Sequence, residues 1–169
     1  MHRHPELPDM KESSAAKKLG NMLLDCDLFS SFDRLEIESI APHFNLLEIE
    51  KGDAVFREGD PGTFMCIVIS GKVSILKNRY DGTVVEIATL HGGRPFGEMA
   101  VLDGERRSAT CIAATQCTLL ALSKDALDSM ILHTPAIAAR VVRVVAVSLS
   151  KRLRLADGQL VDRRSGNSY

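Results

Sequence analysis

Between Leu46 and Ser123 the chain is cut into short β-rich runs: Leu46 to Glu50, Ala54 to Arg57, Cys66 to Ser70, Val73 to Arg79, Val84 to Leu90, Ser108 to Ala113 and Thr118 to Ser123. Lys51-Gly52, Asp60-Pro61-Gly62, Asp81-Gly82 and Gly92-Gly93 supply turns between them, at residue types that accept tight reversals. So many short strands at close spacing, with helical patterns gathered before and after them, predict an α+β fold. Its centre is an antiparallel β-roll, a jelly-roll-like barrel, flanked by N-terminal helices and a long C-terminal helix, and not a doubly wound sheet.

The flanks divide the chain further. Residues 1–18 are polar, carry Pro5 and Pro8 and show no apolar period, so they read as a flexible arm. Leu19 to Leu28 and Asp33 to Pro42 read as short helices, the second burying Leu35, Ile37 and Ile40. Ser123 is placed to cap a helix over Lys124 to Leu132, and Thr134 with Pro135 opens a longer one. Residues 19–160 thus form one domain and residues 161–169 a polar tail. The long helix carries two apolar stripes. Ile137, Val141, Val144 and Val145 share one face, while Val142, Ala146, Leu149, Leu153, Ala156 and Leu160 recur at alternating steps of four and three, the seam of a coiled coil. One stripe is expected on the barrel and the other on a second copy of the chain or a separate effector protein.

Composition narrows the class. A chain of 169 residues that is 45% hydrophobic supports one core. The most apolar stretch, Ala136 to Leu149, is interrupted by Arg140 and Arg143, and no signal peptide is evident, so a membrane span is not expected. Cys26, Cys66, Cys111 and Cys117 lack CxxC spacing and read as buried free thiols of a reducing, cytoplasmic compartment. The net charge of −1 gives no drive toward nucleic acid, and the basic cluster of Lys151, Arg152, Arg154, Arg163 and Arg164 reads as a solvated helix face.

Chemistry concentrates in FGEMAVLDGERRSAT, Phe96 to Thr110. Gly97 permits a tight turn after Phe96, and Glu98 to Leu102 has the composition of a short helix whose start offers unpaired N–H groups to an anion. The turn at Asp103 and Gly104 can reverse the chain and return the Arg107 guanidinium toward that helix start, where its planar fork matches two phosphate oxygens. Glu98 is an acceptor, suited to a sugar hydroxyl of the same ligand. Arg106, adjacent on a strand, is expected on the opposite, solvent-facing side. Together these residues describe a site for a sugar phosphate.

The same string resembles, with its spacing, the phosphate-binding cassette of the cyclic-nucleotide-binding domain family, found in catabolite-activator proteins and protein kinase A regulatory subunits. The resemblance covers roughly Leu23 to Leu160, including GDAVFREGDPG (Gly52 to Gly62) and CIVISGKVSI (Cys66 to Ile75), and makes Gly59, Gly62 and Gly71 turn glycines of positive φ. It implies that Glu98 binds the ribose 2′-hydroxyl and Arg107 the cyclic phosphate. Ser108 adds a hydroxyl beside phosphate or base, Gly97 and Met99 supply backbone groups, and Phe96, Ala100 and Ala109 complete the site as packing positions. It also implies dimerisation through the long helix.

Two departures limit the transfer. The catabolite-activator type continues into a helix-turn-helix, whereas this sequence ends at Tyr169 after DRRSGNSY, so no DNA contact is expected. Where that type presents hydroxyl side chains to the purine, the approximate alignment places Ala156 and Asp157, making Asp157 the weaker candidate ligand. The base stays open, with cAMP ahead of cGMP. No prosthetic group is expected. Scattered His2, His4, His43, His91 and His133 make no metal-ligand motif, so the expectation is a receptor and not an enzyme. The alternatives are a ligand-independent protein-association scaffold and a binder of another effector such as a cyclic dinucleotide.

Overall fold

The structure, a computed structural model, describes residues 10–165. Helix α1 (Met10–Leu24) and α2 (Arg34–Ile40) precede eight strands: β1 (Phe44–Ile49), β2 (Ala54–Phe56), β3 (Phe64–Ser70), β4 (Val73–Asn78), β5 (Val84–Leu90), β6 (Pro95–Phe96), β7 (Thr110–Ala113) and β8 (Cys117–Ser123). A short helix α3 (Glu98–Asp103) lies between β6 and β7, and α4 (Lys124–His133) and α5 (Pro135–Ser165) follow β8. The strands form two four-stranded sheets, ordered β1-β8-β3-β6 and β2-β7-β4-β5. Every pairing is antiparallel. The expected β-roll is therefore the observed one.

The first sheet is covered on both faces, which explains why β3 and β8 read as continuous apolar runs. Successive side chains of a strand point to opposite faces. Cys66 and Val68 of β3, with Leu119 and Ala121 of β8, enter the barrel interior beside Phe56, Val73, Phe96, Cys111 and Ala113. Met65, Ile67, Leu120 and Leu122 face the other way, onto Leu23, Phe29, Ile37, Ile40 and Phe44 and onto Ala138, Val141 and Val145 of α5. The first apolar stripe of the long helix thus closes the outer side of this sheet.

Capping fixes where several helices begin. The Asp33 carboxylate accepts from the Glu36 N–H and the Glu36 carboxylate from the Asp33 N–H, both at 2.9 Å, a reciprocal box. The Ser123 hydroxyl accepts from the Ala126 N–H at 3.0 Å. Replacing Ser123 by alanine leaves that donor unpaired at the strand-to-helix junction and should lower stability by about 1 kcal/mol in denaturant unfolding.

Four expectations need correction. Residues 10–18 are helical and belong to α1, whereas residues 1–9 of the expected arm lie outside the described residues. Ala15, Ala16 and Leu19 have the helix-forming preference that the prolines of residues 1–9 masked. The expected tail begins inside α5, which runs to Ser165, and residues 166–169 lie outside the described residues. Strand β6 escaped notice because it is two residues long and opens with Pro95. Leu35 is 76% exposed, on the solvent face of α2, while Ile37 and Ile40 are buried as expected.

Gly62 also differs from its expected role. Its φ is not positive; what the position requires is space, since a Cβ there would lie 2.1 Å from the Cβ of Ala100. The glycine lets the turn before β3 pass directly against α3.

Candidate functional site

Phe96, Gly97, Glu98, Met99, Ala100, Arg107, Ser108 and Ala109, all identified in the sequence, line one cavity, together with Phe56, Ile75, Cys111 and Arg152. Gly97 adopts a φ of +72° at the entry to α3, a left-handed conformation natural to glycine. A Cβ there would approach Arg107 Nη1 to 2.7 Å and the Phe56 ring to 2.9 Å. The glycine is needed for its backbone and for the close passage of the arginine.

Arg107 is brought to α3 as its spacing predicts. Its backbone is clamped to the β2–β3 turn, where the Arg107 N–H donates to the Asp60 carbonyl and the Gly59 N–H donates to the Arg107 carbonyl, each at 2.9 Å. The Asp60 carboxylate closes that turn by accepting from the Arg57 N–H at 2.9 Å. The guanidinium donates to the carbonyls of Gly97 at 2.8 Å and Phe64 at 2.5 Å. It stacks over the Phe56 ring at 3.8 Å from the centroid, a favourable cation–π geometry. It is 3% exposed and makes no ion pair among the described residues.

The groups around Arg107 leave its charge largely uncompensated. Burial pushes the Cys66 and Cys111 thiols up to about 12, so at neutral pH they are uncharged. Burial also pulls the Arg107 guanidinium below its ordinary value, without bringing it near neutrality. A buried cation held by two carbonyls and the faces of Phe56 and Phe64 is suited to an anion. The four cysteines are free and buried, as the sequence indicated.

Glu98 is 1% exposed and one carboxylate oxygen, Oε1, accepts from Nη2 of Arg152. Arg152 projects from α5, and its side chain is 29% exposed. Three buried polar atoms of the cavity have no hydrogen-bond partner: Glu98 Oε2, Arg107 Nε and Arg152 Nε. Buried polar atoms are normally paired, and three orphans within one cavity mark where a ligand's acceptors and hydroxyls can bind. The cavity measures about 60 Å³. Small-molecule sites span roughly 300–1,000 Å³, so this cavity, with Arg152 among its lining residues, is smaller than that range.

Arg152 was missed by sequence reasoning, which assigned it to a solvated basic face. Asp157, the weaker candidate, does not line the cavity and is exposed, because every residue from Leu153 to Leu160 is exposed as α5 leaves the barrel. The signal was one basic residue interrupting the face that Val141, Val145 and Ser148 bury, two helical turns after Val145. Arg106 does face outward, donating to the Gly59 carbonyl at 2.8 Å. Of the expected partner seam, Ala146, Leu153, Ala156 and Leu160 are exposed and Val142 and Leu149 are half-buried.

The family model described as cyclic nucleotide-binding domain matches residues 46–134. A CRP-like cAMP-activated global transcriptional regulator of Mycobacterium tuberculosis is 28% identical over 85% of this chain and 62% of its own length. The cyclic AMP receptor protein of Thermus thermophilus is 32% identical over 79% of this chain and 60% of its own length. The chain therefore spans about three fifths of these relatives. A cyclic nucleotide-binding domain from Methylobacillus flagellatus superposes with a TM-score of 0.78 over 89% of this chain and 84% of that one, at 23% identity, a likeness of fold.

Proposed function

This chain belongs to the cyclic nucleotide-binding domain family, and from that premise we propose that it is a receptor for a cyclic purine nucleotide, cAMP ahead of cGMP. The observation that carries the reading is the charge and hydrogen-bond balance of the cavity. The Arg152–Glu98 pair neutralises itself, which leaves Arg107 as the cavity's uncompensated positive charge, with Arg107 Nε an unpaired donor and Glu98 Oε2 an unpaired acceptor. A cyclic phosphodiester brings one negative charge and acceptor oxygens, and its ribose brings a hydroxyl donor. Arg107 and the amides at the start of α3 hold the phosphate, Glu98 accepts from the 2′-hydroxyl, and Ser108 and Met99 lie at the rim where the base enters.

The placing of cAMP first is supported by the names of the two bacterial relatives. Binding is transmitted as a population shift: the nucleotide favours an arrangement in which α5 is displaced, and differential affinity supplies the coupling. The exposed seam of α5 around Ala146 and Leu153 is the output surface, for a second copy or an effector protein. The nucleotide is held and not turned over. Among the described residues no helix is long and apolar enough to cross a membrane.

The test is thermal unfolding with cAMP, cGMP, 5′-AMP and cyclic di-GMP, followed by chromatography of the recovered ligand. A nucleotide at 100 times its Kd adds about 2.7 kcal/mol of stability. Stabilisation by cAMP or cGMP alone, with the nucleotide recovered intact, is expected. Stabilisation by cyclic di-GMP alone would transfer the site to that effector, no stabilisation by any ligand would favour the association scaffold, and recovered 5′-AMP from cAMP would make the chain an enzyme.

A further inference from the structure

A second cavity, of about 830 Å³, lies between α5, the chain after α1 at Asp27 to Ser31, and the β5–β6 turn at Gly92 to Arg94. It shares no lining residue with the nucleotide cavity. Its charge is one-sided: Arg94, Arg140, Arg143 and Lys151 line it against the single carboxylate of Asp27, in a chain whose net charge is −1. Arg140 is already engaged, pairing with Glu36 and donating to the Ser31 carbonyl at 2.5 Å. Arg94, Arg143 and Lys151 are exposed and make no ion pair among the described residues. Three exposed cations therefore face one carboxylate.

The geometry extends this charge along a groove. Arg143, Val147 and Lys151 recur at steps of four, forming a line about 12 Å long at about 1.5 Å per residue. At about 100° per residue, that line stands roughly 130° around α5 from the seam of Val142, Ala146, Leu149 and Leu153. It is as far from the Val141, Val145 and Ser148 stripe on the barrel side, so it is a third face, left open when the seam pairs. Leu28, Val144 and Val147 put aliphatic surface between the charges. The backbone offers no anion cradle at the β5–β6 turn, since the Gly93 N–H donates to the Val68 carbonyl at 2.7 Å and the Arg94 N–H to the His91 carbonyl at 3.2 Å. Recognition falls to side chains spread along the groove, with no aromatic ring among them to stack a base.

We propose that this groove docks an extended acidic segment of a partner protein, its carboxylates meeting Arg94, Arg143 and Lys151 and an apolar side chain between them resting on Leu28, Val144 and Val147. An extended chain advances about 3.3 Å per residue, so four residues span the line from Arg143 to Lys151. A compact phosphate would meet one or two of these cations and leave the others without a counter-charge. The inference stands independently of the nucleotide reading.

The test is fluorescence anisotropy of the full chain with a labelled peptide of about ten residues built on the repeat Glu-Glu-Leu, long enough to cover the groove. Micromolar binding is expected, lost at about 1 M salt, where the screening length is about 3 Å. Arg143→Glu with Lys151→Glu should weaken it at least about tenfold. Lys17→Glu with Lys18→Glu makes the same charge change on exposed residues of α1 and should bind as the wild type does. All four positions are exposed, so both double variants should keep the wild-type circular dichroism. No binding of the peptide overturns the proposal. Equal losses in the two double variants reduce the effect to net charge, equal binding of a peptide with lysine for glutamate removes charge selection, and binding of inorganic triphosphate in place of the peptide gives the groove to a phosphate ligand; each overturns it too. Titration of the same samples with cAMP reads the receptor separately, since failure there leaves peptide binding untouched.

Discussion

Arg107→Ala should abolish cyclic-nucleotide binding within the range a calorimeter reads. Two hydrogen bonds from a charged donor are worth about 1.5–3 kcal/mol each, so their loss removes about 3–6 kcal/mol, two to four orders of magnitude in affinity. The same change affects the fold, because the carbonyls of Gly97 and Phe64 lose their donor and Phe56 loses the cation stacked on it. The variant should therefore also be less stable, by about 2–4 kcal/mol for the orphaned acceptors and lost packing. Arg107→Lys separates the two effects. Lysine keeps the charge but has no planar fork with which to reach two carbonyls and a phosphate. It should fold, with normal circular dichroism, and still bind at least about tenfold more weakly. A folded Arg107→Ala protein with wild-type affinity would remove Arg107 from the site.

The second large effect is expected at Gly62, well away from the charged groups. An alanine Cβ at this position would stand 2.1 Å from the Cβ of Ala100, 3.1 Å from its Cα and 3.2 Å from its carbonyl carbon. These neighbours belong to the backbone and the first side-chain atom of α3, so no flexible side-chain tip can yield. The helix must move away from the β2–β3 turn, and that turn also clamps the Arg107 backbone through Gly59 and Asp60. Gly62→Ala should cost about 1–3 kcal/mol, as overpacking does, and should weaken nucleotide binding by displacing α3 relative to Arg107. Ala100→Gly in the same chain removes the colliding carbon and should recover most of the loss, a coupling that denaturant unfolding of the double-mutant cycle measures. Additive losses would mean that the two residues do not meet.

The contrast between these residues shows what could be read from the sequence. Arg107 and Glu98 were legible because a short helix, a turn and a returning strand are local events, and fifteen consecutive residues hold all of them. The eight strands were mostly legible for the same reason, since alternation and turn residues report on near neighbours. Gly62 looked like another turn glycine, because its need for space arises from Ala100, far along the chain. Arg152 was harder still. Its partner Glu98 lies 54 positions away, and nothing in a run of basic residues distinguishes the one that turns inward. The helix phase set by Val141, Val145 and Ser148 places it on the barrel side, but the distance at which α5 departs depends on how Ala138, Val141 and Val145 join the core shared with the outer faces of β3 and β8. Asp157 lies outside the cavity for that reason: it stands five residues past Arg152, within the exposed run of the helix.

One cyclic nucleotide is expected to bind in the cavity built by Glu98 and Arg107. Calorimetric titration of the full wild-type chain with cAMP, and then with cGMP, tests it most directly. One site per chain with micromolar or tighter affinity for at least one of the two nucleotides is the predicted result; a folded protein that gives no binding heat with either, and shows no shift in melting, would contradict it.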